Sequence, residues 1–182
     1  MSRNYKIRDQ NYPHFVSFAL VLQWIDLFIR PAYRNILLDS LSYCQQQKGL
    51  ILYAWCIMTN HVHLVMGTKK DPMENILLDF KSFTSRKLRE KIQNSPQENR
   101  KEWILWMMKR AGTLNANNND WQLWQQHNHP IELSSNKMID QRVDYTHNNP
   151  VKAGFVEKPE YWLYSSARDY CGQKGILNVC ID

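Results

Sequence analysis

"LILYAWCIMTNHVHLVM", residues 50–66, decides the fold. Residues 50–58 and 61–66 are two short β-forming runs separated only by Thr59 and Asn60, which predicts an antiparallel hairpin. On the second arm Val62, Leu64 and Met66 alternate with His61 and His63. Side chains two positions apart on a strand share a face and lie roughly 6–7 Å apart along it. The pattern therefore points the aliphatic set toward a helix-covered core and both imidazoles to the opposite face.

Working outward, "HFVSFALVL" (14–22) alternates Phe15, Ser17 and Ala19 against Val16, Phe18 and Leu20 and reads as a first strand. A helix follows, from Pro31 in its first turn, through Ile36, Leu37, Leu41 and Cys44, to a capping Gly49. After the hairpin, residues 73–93 present Ile76, Leu77, Phe80, Phe83, Leu88 and Ile92 on one helical face. The second half of that helix carries Lys81, Arg86, Lys87, Arg89 and Lys91. Residues 94–120 read as a loop, a short helix at 101–110 and another exposed loop. "WQLWQQH" (121–127) is expected to be a further strand, and the serines at 134 and 135 to cap a helix that stops near Asn149, before Pro150.

Strand, helix, strand, strand, helix, strand is the order of a ferredoxin-like split β-α-β sandwich, an α+β fold. Helices are expected on one face of its antiparallel sheet, leaving the other for a ligand. The chain, residues 1–182 with a core from about 12 to 170, reads as a single domain.

With 43% apolar and 22% charged residues and no run of about 18 apolar positions, a membrane span is excluded by pattern and a folded globule is expected. "MSRNYKIRDQ" leads into no apolar segment with a cleavage site, so the protein is expected in the cytoplasm. Cys44, Cys56, Cys171 and Cys180 form no CxxC pair, which fits reduced thiols rather than a zinc knuckle or disulfide framework. The net charge of +6 favours a polyanionic partner. Trp103, Trp106 and Trp121 are read as core residues, with stacking on unpaired bases as the alternative.

His61 and His63 can converge on one ion, but two imidazoles need a third ligand to make a catalytic metal centre. The alternative is a pair of partly buried, hydrogen-bonded histidines. The other pair, His127 and His129, has Asn128 between them and Pro130 after them, so both are read as loop histidines. On the helix before Pro150, Met138, Arg142, Tyr145 and Asn149 follow steps of four, three and four and share a stripe, with Ile139, Val143 and Thr146 beside them as core. A phenol there is either a nucleophile or a core tyrosine with its hydroxyl tied down. A metal on His61, His63 and Asn149 beside Tyr145 would suit in-line attack on a phosphodiester, the phenolate being favoured by the cation, Arg142 or Lys152.

"IMTNHVHLVM", "DFKSFTS" and "DYTHNNPVKAGFVEKPEYWLYSSA" together resemble the single-tyrosine HUH transposases, and among them the REP-associated tyrosine transposases. The resemblance runs from about Tyr12 to Tyr170. It implies a ferredoxin-like fold and metal-dependent cleavage and rejoining of single-stranded DNA beside a hairpin, through a 5′-phosphotyrosine. By position it implies Tyr145 as nucleophile and His61, His63 and Asn149 as ligands to Mg or Mn. Lys81, Arg86, Lys87, Arg142 and Lys152 are candidate DNA contacts. The REP-associated relatives favour a monomer, with a homodimer as the alternative. The rival expectation is a hairpin DNA- or RNA-binding protein that does not cleave.

Overall fold

The computed structural model describes residues 7, 9–22, 24–115, 120–126, 128 and 130–181. Its elements run β1 (His14–Ala19), α1 (Pro31–Lys48), β2 (Leu50–Ile57), β3 (His61–Thr68), α2 (Met73–Asn94), α3 (Lys101–Thr113), β4 (Ile131–Glu132), α4 (Asn136–Lys152) and α5 (Ala167–Tyr170). The sheet order is β2-β3-β1-β4, with every neighbouring pair antiparallel. Because β1 and β2 both run against β3 between them, they are parallel to each other, and α1 is the crossover that joins them. This is the expected α+β, split β-α-β arrangement.

Alternation along the strands sorts the side chains into two layers. Val16 and Phe18 of β1 and Val62, Leu64 and Met66 of β3 enter the large core under α1 and α2. In β2 the register shifts between Leu52 and Ala54. The extra residue restores the phase, so that Leu50, Leu52, Trp55 and Ile57 all reach that same core. At the end of α1, Gly49 has φ 73°, and a Cβ there would stand 2.7 Å from Lys70 Cβ. Both the backbone conformation and the close approach demand glycine.

The opposite face is not left bare. Phe15, Ala54, Val65, Leu133 and Val143 form a smaller buried cluster there, with Met138 and Ile139 packed against it. Thus α4 covers part of the face expected to be open, while its remaining stripe borders the histidines. Ser135 caps α4 by accepting from the Met138 N–H at 3.4 Å. The helix does not stop at Asn149. It runs to Lys152 with a buried Pro150 inside it and ends at Gly154, φ 75°. Pro150 sits in the last turn, where the lost N–H costs one bond at most, and the glycine provides the stop. Asn149 is therefore helical and shares Tyr145's stripe.

"WQLWQQH" is not a regular strand: among the described residues it holds one isolated bridge, Leu20 to Trp124. The chain stays alongside β1 through the Gln125 N–H to Ala19 carbonyl and Ser17 N–H to Asn128 carbonyl bonds, then resumes as β4. His127 and His129 lie outside the described residues. Lys81 explains how the irregular stretch is held. Its ammonium donates to the Gln125 carbonyl, to the Gln126 carbonyl at 3.4 Å and to Asn128 Oδ1 at 2.7 Å. Residues 94–115 are also more firmly tied to the rest of the fold than their polarity suggested. Glu98 is 2% exposed and accepts from Arg30 Nε and Arg100 Nε, both at 2.9 Å. Burial by itself pushes the Glu98 carboxyl up, but the two guanidiniums outweigh it and hold it down at about 2.

The C-terminal segment covers the outer edge of β2. Ile57 N–H donates to the Tyr164 carbonyl at 2.9 Å, Ser166 N–H to Trp55's at 3.0 Å and Cys180 N–H to Leu52's at 2.8 Å. An exposed edge strand is thereby paired off within the chain. Cys44, Cys56 and Cys171 are free thiols, and no described helix is long and apolar enough to cross a membrane.

Candidate active site

His61 and His63 leave β3 on the α4 side. Their antiparallel partners are small: Ala19 faces His61, and Ser17 and Cys56 flank His63. These short side chains leave room for two imidazoles side by side, 4.7 Å between ring centroids. Phe15 stacks on His63 at 5.6 Å and 21°.

Each ring has a distinct environment. Asn60 Oδ1 lies 2.6 Å from His61 Nδ1. An amide oxygen only accepts, so Nδ1 carries the proton and Nε2 keeps its lone pair for a ligand. His63 is 5% exposed, and neither of its ring nitrogens has a partner in good hydrogen-bond geometry, although the Asn149 amide stands close enough to interact with the ring. Burial, reinforced by His61, pushes His63 down to about 3, and Asn149 opposes this only in part. Burial also lowers His61. Both rings are thus neutral near pH 7, the state in which imidazole ligates.

From α4, Tyr145 meets His63 edge-on at 5.4 Å and Phe15 at 5.7 Å. It remains 37% exposed, so it is not the buried core tyrosine of the alternative reading. Arg142, one turn earlier, lies 5.8 Å from the Tyr145 ring and 5.0 Å from Phe15. Lys152 approaches the Tyr145 ring to 5.5 Å. Asn149 Nδ2 donates to the Tyr145 carbonyl at 2.7 Å, which fixes the amide beside His63. Val143 and Thr146, buried on the neighbouring stripe, hold α4 against the sheet as expected.

The donor set fits a hard or borderline divalent cation: two neutral imidazoles and one carboxamide oxygen. An unbonded buried imidazole costs about 1–3 kcal/mol, which a bound cation would remove. Among the described residues no cluster of three His, Cys, Asp or Glu exists, so the carboxamide is the third protein donor at hand. Cys56 does not compete, because its full burial pushes the thiol up and keeps it protonated.

The candidate DNA contacts separate into two groups. Arg142 and Lys152 surround Tyr145. Lys81, Arg86 and Lys87 belong to α2, which packs against the opposite face of the sheet. Lys81 is committed to the carbonyls of residues 125 and 126, and Lys87 pairs with Glu90 at 3.0 Å. The helix pattern revealed their charge but not which layer they stand in. Phe15 and Asn60 were missed as site residues, since a strand phenylalanine and a turn asparagine carry no chemical signature until the fold sets them against the imidazoles.

Comparison with known proteins gives the following. The family described as IS200-like transposases matches residues 25–110, a span that contains both histidines and ends before α4. The structure of a REP-associated tyrosine transposase bound to a REP hairpin is similar to this chain with a TM-score of 0.68 and 15% identity. The likeness covers 100% of this chain and 95% of that one, and at this identity it is a likeness of fold. A proposed transposase from Deinococcus radiodurans, 16% identical, gives a TM-score of 0.40 over 81% of this chain and 97% of that one. No curated protein matches the chain.

Proposed function

We propose that the chain, whose residues 25–110 match the IS200-like transposase family, is a transposase of that kind that binds hairpin-bearing single-stranded DNA and cleaves and rejoins it through Tyr145. The observation that carries the reading is the meeting of two separate segments. The Tyr145 ring of α4 lies 5.4 Å, centroid to centroid, from His63, whose buried ring nitrogens have no partner in good hydrogen-bond geometry.

In the proposed reaction the Tyr145 hydroxyl oxygen attacks a DNA phosphorus and loses its proton to solvent. The 3′ oxygen of the preceding nucleotide leaves and is protonated, and the phosphate stays esterified to the tyrosine. One phosphoester replaces another, so a free 3′ hydroxyl can attack the phosphotyrosine and restore the DNA strand. Phe15 and His63 pack the phenol ring into a narrow range of orientations. Arg142 and Lys152 flank the Tyr145 ring and would supply positive charge to a phosphate bound there. His61, His63 and Asn149 would hold a divalent cation, Mn being the better match to imidazole and Mg to oxygen. Bound there, it would supply charge neutralisation at the phosphate and the leaving oxygen.

The test is a labelled hairpin oligonucleotide with Mn or Mg, scored for label retained on denatured protein. The expected result is a covalent adduct with wild type and none with Tyr145→Phe. Hairpin binding without any adduct would instead favour a non-cleaving hairpin-binding protein.

A further inference from the structure

On the other side of the sheet, α3 turns Ile104, Met108 and Gly112 inward and leaves two tryptophans outside. Trp103 is 40% and Trp106 53% exposed, so neither is the core residue its type suggested, and Trp24, 63% exposed, meets Trp103 at 4.9 Å. Burying indoles is strongly favourable, and a surface that exposes three of them together marks a binding site.

Cations accompany the indoles. Arg110 lies over Trp106 at 5.4 Å, and Arg89 of α2 lies over Trp121 at 5.0 Å. Trp106 and Trp121 both line a cavity of about 340 Å³, together with Arg89, Lys109 and a single acid, Asp120. The Trp121 wall is firmly placed. Gln122 N–H donates to the Met108 carbonyl at 2.9 Å, and a Cβ on Gly112 would stand 2.4 Å from Trp121 Cα. Only glycine permits that approach. Aromatic faces interleaved with guanidinium and ammonium groups suit one ligand class well: unpaired bases joined by phosphates.

We propose that this α3 surface is a second binding platform. Unpaired nucleotides flanking the hairpin stack on Trp106 and Trp121, while Arg89, Lys109 and Arg110 take their phosphates. The proposal extends the hairpin-DNA reading above and rests on it for the identity of the nucleic acid. The platform lies on the sheet face opposite Tyr145, so it anchors the flank and takes no part in chemistry.

The experiment compares binding of a blunt hairpin and one bearing a single-stranded flank of about ten nucleotides. Wild type is expected to bind the flanked hairpin about tenfold more tightly. Trp106→Ala is expected to remove that gain, with unchanged blunt-hairpin affinity and melting temperature, and Trp106→Phe to keep most of it. Abasic nucleotides in the flank should weaken wild type by the same factor and leave Trp106→Ala unaffected. The proposal is overturned if Trp106→Ala binds the flanked hairpin as wild type does, or if wild type gains nothing from the flank. A change in sedimentation with unchanged flank affinity also overturns it, making the patch an interface between copies. If no hairpin binds at all, the reading of the catalytic face fails by itself. Hairpin-free single strands then decide the platform: fluorescence quenching in wild type that is lost in Trp106→Ala supports it, and no quenching refutes it.

Discussion

On the face under α1 and α2 the strands contribute Val16, Phe18, Leu52, Trp55, Val62 and Leu64, all nearly inaccessible. On the face under α4 the same three strands contribute Phe15, Ala54 and Val65 beside two imidazoles, Ser17 and Ala19. The first face is a continuous dry core. The second has just enough apolar area to seat one helix, and spends the rest on polar groups and space. The main core and the candidate site are thereby separated across the thickness of a single sheet, by the two-residue period of its strands.

This separation makes opposite predictions for neighbouring residues. Tyr145→Phe should reduce adduct formation by at least about 10³-fold, because no other described group occupies its position against His63. Its thermal midpoint should stay close to that of wild type, and an adduct formed by the variant would assign the nucleophile elsewhere. Leu64→Ala, one position beyond His63 on the other face, should cost about 2–5 kcal/mol in urea denaturation. Activity per folded molecule should survive, and loss of activity without loss of stability would contradict the division of labour between faces.

Smaller effects refine the picture. Asn60→Ala should weaken Mn binding about 10- to 100-fold by freeing the His61 ring, as removal of an orienting partner does. Titration calorimetry reads this without DNA, and unchanged affinity would remove Asn60 from the site. Acid acts on both layers. Burial holds His147 down to about 4, with its Nε2 2.8 Å from Ser166 Oγ. Its folded value lies below the unfolded one near 6.5. Its contribution is therefore complete above about pH 6.5 and lost as pH falls toward 4, with His61 and His63 acting in the same direction. Glu98, held at about 2, adds a second decline below about pH 4.5. Urea midpoints should accordingly fall between pH 7 and 5 and fall further below 4.5, and Glu98→Gln should flatten only the lower part.

Much of this arrangement was legible in the chain. The hairpin, α1 with its Gly49 cap, the apolar face of α2 and the opposed placement of Val62 and His63 follow from local periodicity. Three readings failed because they depended on distant partners. The strand expected at 121–127 gave way to a segment held by Lys81 and one bridge. Helix α4 passed Pro150 because Gly154, not the proline, supplies the left-handed stop. Lys81 looked like a free surface cation until the fold brought carbonyls to it, and burial there lowers it to about 8.

The sequence by itself determined which residues are candidates for the site and on which side of β3 the two histidines stand, because strand geometry fixes the direction of every second side chain. Tertiary structure alone decided that Tyr145 and Asn149, about 80 residues later in the chain, pack against those histidines. It also decided that Phe15 and Asn60 set the two rings, and that the tryptophans of α3 remain outside. These are contacts between elements remote in the chain, fixed by how helices pack on a twisted sheet, and no local pattern encodes them.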